Sequence, residues 1–262
     1  MLFPPSEREV YKKNPLELVI CQLRFPTILA ISSEEPATFQ DLIREEYPIY
    51  KRENGELIVP KDIPKELTMI FSQISFPRIP EATVHKFLNE DESKYISLKS
   101  DFLAYRDDKY KNWDDFKESL MAAKSHFEKI YKPAFYSRVG LRYQDVINKK
   151  ILGLEGEPWD KLLNKSILGF LGENNIKDSI KELNNNTLFK VDDVKDGYVR
   201  VNHGLIETND GQQVYRIDAD FFVPDRREKD EVTGILDTFN RMAGYFFRWA
   251  TTSKLKVALN SK

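Results

Sequence analysis

His85 in ATVHKF and His203 in VRVNHGL lie 118 residues apart, and Asp101-Phe102 and Asp220-Phe221 accompany them at nearly the same offset. A histidine oriented by a carboxylate in each half of the chain would suit proton transfer near neutral pH. Strand parity separates the partners, however. His203 falls with Val199, Val201 and Leu205 on the apolar side of its strand, and His85 falls with Thr83 and Phe87, while both aspartates fall on the opposite side. Core histidines satisfied by a hydrogen bond are expected, and no catalytic residue is assigned. Three histidines and one cysteine, Cys21, include no ligand pair at helical spacing, so no metal is expected. GLEGEPW has glycines but neither GxGxxG nor GxxxxGK[ST], and no nucleophile elbow stands out, so no cofactor is expected either.

Arginine offers a different chemistry. CQLRFP (21–26) and VGLRYQ (139–144) both carry Leu-Arg-aromatic, with Leu23-Arg24-Phe25 and Leu141-Arg142-Tyr143 again separated by 118 residues. In a strand over 16–25, Val19, Cys21, Leu23 and Phe25 share the apolar face, which leaves Gln22 and Arg24 on the other. In a strand over 134–147, Phe135, Val139, Leu141, Tyr143 and Ile147 share one face, and Tyr136, Arg138, Arg142 and Gln144 the other. The same parity assigns Ile96, Leu98, Phe102, Tyr215, Ile217 and Phe221 to the core. It assigns Lys86, Lys99, Asp101, Arg200, Asn202, Arg216, Asp218 and Asp220 to the open side. With Arg24, Arg138 and Arg142 this face holds seven basic and three acidic residues on a chain of net charge -2. Guanidinium forks match phosphate and carboxylate, so the ligand-binding candidates are Gln22, Arg24, Lys86, Lys99, Arg138, Arg142, Gln144, Arg200, Asn202 and Arg216. Cross-strand ion pairs to Asp101, Asp218 and Asp220 are the alternative use of the same arginines.

The elements that must position this face repeat. NWDDFKESLMAAKSHFEKIY (112–131) and EVTGILDTFNRMAGYFFRWA (231–250) are amphipathic helices that coincide when shifted by 118. Each half reads as strand, helix, strands and long helix. The first helix opens near Pro36 in one half and at Pro158-Trp159 in the other. Strands follow in ATVHKFLNE and KYISLKSDFLAY, with a further one in GELIV (55–59), and near 186–194, 198–206 and 213–223. Asp196-Gly197 and Asp210-Gly211 are hairpin turns. The fold class is α+β, an internally duplicated β-α-β-β-β-α unit with a mostly antiparallel sheet, helices on one face and an open arginine-rich face. The pseudo-repeat halves are 1–132 and 133–262, forming one compact domain. DRREKDE (225–231) reads as a solvated loop and helix start, with its acids near the helix N-terminus, and Phe246 and Trp249 as core.

Composition narrows the setting. A hydrophobic share of 41% and a charged share of 31% are ordinary for a globular chain, and net charge -2 argues against a polyanion binder that uses its whole surface. A lone cysteine, a charged and proline-containing N-terminus and no long apolar stretch read as a cytoplasmic protein with no membrane association.

NPLELVICQLRFP, NWDDF, RVGLRYQDVI and IDADFF before a last long helix occur in an order that resembles a sporadically distributed family of prokaryotic proteins. Arg138, Gly140, Leu141, Arg142 and Tyr143 fit its R-x-G-L-R-Y element; many members continue with Ile-Asn, where Gln144-Asp145 stand here. The family carries no established activity, so the resemblance implies no catalytic residues. Its patchy distribution implies a setting among mobile or defence-associated genes. The duplicated unit also looks like the saddle of TATA-box-binding proteins, whose open sheet contacts DNA. These readings converge on a non-enzymatic binding protein for nucleic acid or a phosphate-rich nucleotide. An antitoxin-like or scaffolding protein that binds an acidic partner from the same locus is the alternative.

Overall fold

The computed structural model describes residues 2–53, 83–208 and 211–260. Nine strands form one sheet: β1 Leu16–Arg24, β2 Ile49–Glu53, β3 Val84–Leu88, β4 Lys94–Lys99, β5 Phe102–Asp107, β6 Arg138–Ile147, β7 Asn185–Val191, β8 Gly197–Glu207 and β9 Gln213–Val223. Their order is β2-β3-β4-β5-β1-β6-β9-β8-β7, and every neighbouring pair is antiparallel. The class is α+β. Outward from the central β1–β6 pair, one side runs β5, β4, β3 and the other β9, β8, β7. Register keeps the 118-residue offset here: Leu23 faces Leu103, and Leu141 faces Phe221.

The longer helices are α1 Ala37–Ile43, α2 Trp113–Tyr131, α3 Glu231–Ala250 and α4 Ser253–Asn260. Asn112 caps α2, its side chain accepting from the Asp115 N–H, and Asp114 and Asp115 occupy the first turn, where acidic residues complement the helix dipole. Lys132 closes the same helix in the left-handed region at φ 49°. The helices bury apolar stripes, Phe116, Leu120 and Phe127 on α2 and Val232, Ile235, Phe239, Met242 and Phe246 on α3, against Val19, Cys21, Leu23, Leu141 and Phe221 of the strands. Each such large side chain withdrawn from water contributes about 1.5–3 kcal/mol. Trp249 is half-buried, its ring 5.6 Å from that of Phe3.

Several local expectations give way to the three-dimensional arrangement. KYISLKSDFLAY is two strands, because Ser100-Asp101 makes a tight turn between β4 and β5. The turn reverses parity, so Leu103 and Tyr105 enter the core and Phe102 comes out opposite Arg24 on the arginine side. The described residues of the first half therefore contain four strands after α1, not three; the expected strand at 55–59 and Asp210 lie outside the described residues. The helix expected from Pro158 breaks into turns over Trp159–Lys161, Lys165–Leu168 and Gly169–Gly172. Asn164 starts a new cap there, and Gly169 adopts φ 52°.

Tyr136 is fully buried and Phe135 half-buried, the reverse of their parity, because regular pairing in β6 begins only at Arg138. Before it, an isolated bridge joins Tyr136 to Arg227, and the Tyr136 hydroxyl donates to Glu128 Oε1 of α2 at 2.8 Å. Arg227 is consequently buried as well, donating to the carbonyls of Arg226 and Lys195, so the loop part of 225–231 is not simply solvated, while the helix start expected there falls at Glu231.

Candidate functional site

The centre of the arginine-bearing face is the β1–β6 pair. Gln22 faces Gly140 there, and Arg24 faces Arg138. Gln22 Oε1 accepts from both arginines, from Arg24 Nε at 3.2 Å and Arg138 Nη1 at 3.3 Å, so two guanidiniums converge on one neutral oxygen. Arg138 lies flat across Gly140, where a Cβ would come within 2.1 Å of its Nη1. Its Nη2 donates to both Asp220 oxygens, at 3.1 and 2.8 Å, and its guanidinium is 5.0 Å from the Phe222 ring centre. The absence of a side chain at Gly140 is what lets this arginine fold over its own strand. Phe222 stacks in turn with Tyr198 at 5.8 Å, and Phe102 lies across from Arg24.

The remaining predicted residues divide into paired and unpaired. Arg142 grips Asp218, with Nε donating to Oδ1 at 2.7 Å and Nη2 to Oδ2, and this hydrogen-bonded partner raises the arginine pKa. Lys86 pairs with Glu53 at 2.6 Å and Lys99 with Asp101 at 3.4 Å. Gln144 donates to Glu17 Oε2 at 3.2 Å. Arg200 donates to Asn186 Oδ1 at 3.0 Å, and Asn202 is opposite Asp218 on β8–β9. Arg24, Arg200 and Arg216 have no carboxylate partner among the described residues. The face thus brings together Gln22, Arg24 and Arg138 at its centre and Arg142, Arg200 and Asp220 in one cross-strand row. Lys86 and Lys99 stand on β3 and β4, to the other side of β1.

The histidines do not meet the aspartates. His85 Nδ1 contacts Tyr50 Oη at 2.9 Å, and His203 Nδ1 contacts Tyr215 Oη at 2.7 Å. Burial lowers both histidine pKa values, opposed at His85 by the Glu35 charge. His85 is in the third strand out from β1 and His203 in the second out from β6, so their shared offset does not correspond to equivalent strands.

Phe102, Tyr198 and Phe222 are aromatic components of this face beyond the predicted residues. Phe102 was hidden by the unmarked Ser100-Asp101 turn, whereas Tyr198 and Phe222 alternate with Val199 and Phe221 and are readable as outward-facing. No family model, curated protein or solved structure matches the chain.

Proposed function

We propose that the chain is a non-enzymatic binding protein that takes nucleic acid or a phosphate-rich nucleotide on its arginine-bearing sheet face. The observation that carries this reading is the convergence of Arg24 and Arg138 on Gln22 Oε1, with only Arg138 carrying a carboxylate partner. Two cations held side by side repel each other, and a phosphate between them relieves that repulsion and receives forked N–H donors. Phe102, Phe222 and Tyr198 supply half-buried ring surface beside the pair, the combination of base stacking and backbone charge used for single-stranded nucleic acid. The mirrored strand order about β1–β6 supports a duplicated unit and an approximately two-fold ligand. A buried free thiol at Cys21 fits a reducing cytoplasm, and no described helix is long and apolar enough to cross a membrane. The family resemblance adds a mobile or defence-associated setting.

The second reading, an acidic protein partner, draws support from the pairing of Lys86, Lys99, Arg138 and Arg142, which leaves fewer free cations than a long polyanion exploits. Fluorescence anisotropy with labelled single-stranded and duplex oligonucleotides across salt separates the two. Each phosphate contact contributes about one unit to the slope of log K against log salt, so Arg24→Ala should reduce it by about one. Affinity independent of salt, with retention of an acidic protein instead, would move the assignment to the second reading.

A further inference from the structure

A cavity lies on the core side of the sheet. The N-terminal segment, the 110–112 loop, β6 and α3 enclose a cavity of about 420 Å³, within the roughly 300–1,000 Å³ range of small-molecule sites. Asp145 lines it. This aspartate occupies a core-parity position between Tyr143 and Ile147 and is 7% exposed, and its carboxyl group makes no hydrogen bond or ion pair with any described residue. A carboxyl group buried without a partner costs several kcal/mol, and a ligand with N–H donors offsets that cost. Its surroundings are aromatic. Tyr11, Tyr110 and Tyr143 line the same cavity, and burial together with the neighbouring Glu9 carboxylate raises the Tyr11 pKa. The Tyr143 hydroxyl is held by Asn240 Oδ1 at 2.9 Å, which fixes that wall.

The cavity also has a charged side. Arg8 and Arg248 line it, and neither has a carboxylate within ion-pair distance among the described residues. Arg248 is anchored by Ser6, its Nε donating to Oγ at 2.6 Å, so its position is set by the N-terminal segment. An acid without a side-chain partner, tyrosine walls and two guanidiniums outside any ion pair describe an elongated amphoteric ligand: a planar ring with N–H donors at one end and an anion at the other.

We propose that this cavity binds a purine mononucleotide, with the base edge at Asp145 and the phosphate at Arg8 and Arg248. A carboxylate matches the adjacent N–H donors of guanine, and a neutral carboxyl matches the donor–acceptor edge of adenine. Burial, followed by the Asp218 charge, pushes Asp145 up to about 8, so both forms are accessible near neutrality. The site is independent of the sheet-face reading and shares none of its arginines.

Calorimetric titration of the full chain with GMP and AMP, beside guanosine and adenosine, tests the proposal. One of the two nucleotides should bind at least about tenfold more tightly than its nucleoside. Arg8→Ala/Arg248→Ala should erase that phosphate advantage, Asp145→Ala should weaken nucleotide and nucleoside alike, and Arg24→Ala should change neither. Because Arg8 and Arg248 are on the exposed side, their double variant remains informative if Asp145→Ala fails to fold. Absence of binding by both nucleotides overturns the cavity assignment. So does binding that persists in the Arg8/Arg248 variant but is lost in Arg24→Ala, which would put the nucleotide on the sheet face.

Discussion

Gln22 and Gly140 face each other across the central strand pair, 118 positions apart in the chain, and the Arg138 guanidinium fills the space above Gly140 that a side chain would take. A methyl group there would come within 2.1 Å of Arg138 Nη1 and drive the arginine off Asp220 and Gln22. Gly140→Ala should therefore cost about 1–2 kcal/mol in denaturant unfolding, the scale of a lost charge-assisted pair. The same substitution made in an Arg138→Ala background should cost much less. Equal costs in both backgrounds would mean that the glycine is required by the strand and not by the arginine.

Arg142 and Asp218 form a pair of unequal exposure, 44% for the arginine side chain and 6% for the aspartate. Removing the arginine strands a buried carboxylate, whereas removing both members does not. Arg142→Ala should destabilise by about 1–3 kcal/mol, between the values for exposed and buried pairs. The double variant with Asp218→Ala should recover part of that loss. A double variant as unstable as the sum of the singles would show that the two side chains act separately.

Gly204 sits where β8 passes the chain at Leu183, whose amide donates to the Leu205 carbonyl at 3.1 Å. A Cβ at position 204 would come within 1.8 Å of the Leu183 carbonyl oxygen. Backbone, unlike the end of an arginine, cannot swing away. Gly204→Ala should cost at least about 1–3 kcal/mol by overpacking and loosen the 183–185 entry into β7. Amide hydrogen exchange at Leu183 checks the location: unchanged protection there would place the cost elsewhere.

Period-two alternation made much of this legible. Val19, Cys21, Leu23, Leu141, Val199 and Phe221 are buried where parity puts them, and Arg24, Arg142 and Arg200 are exposed. Alternation breaks down where pairing is not uniform. Ser100-Asp101 reverses a strand with no glycine or asparagine to mark it, and so Phe102 is misread. Tyr136 is drawn inward by its bridge to Arg227, a contact spanning ninety-one positions that no local window contains. The convergence on Gln22 depends on Gly140 in the neighbouring strand. Asp145 is the one charge on the apolar face of β6, but its cavity is assembled from five separated segments. The repeated histidines show the opposite hazard, a matching offset between strands that do not correspond.

Asp145 also makes stability depend on pH in a defined direction. Burial and the Asp218 charge raise its pKa from the ordinary 3.8 to about 8, so between those values the native state retains a proton that the unfolded chain has released. Stability then falls as pH rises across that window and levels off above about 8, each unit of pKa displacement corresponding to about 1.4 kcal/mol. Asp145→Asn keeps the shape and removes the ionisation. Its stability advantage over wild type should grow from about pH 4 to pH 8, less than the full displacement implies if water enters the cavity as the carboxylate forms. Urea midpoints of both proteins across this range measure it. Parallel profiles would mean that Asp145 ionises as readily in the folded protein as in the unfolded chain, and the cavity would then hold a solvated carboxylate in place of a buried one.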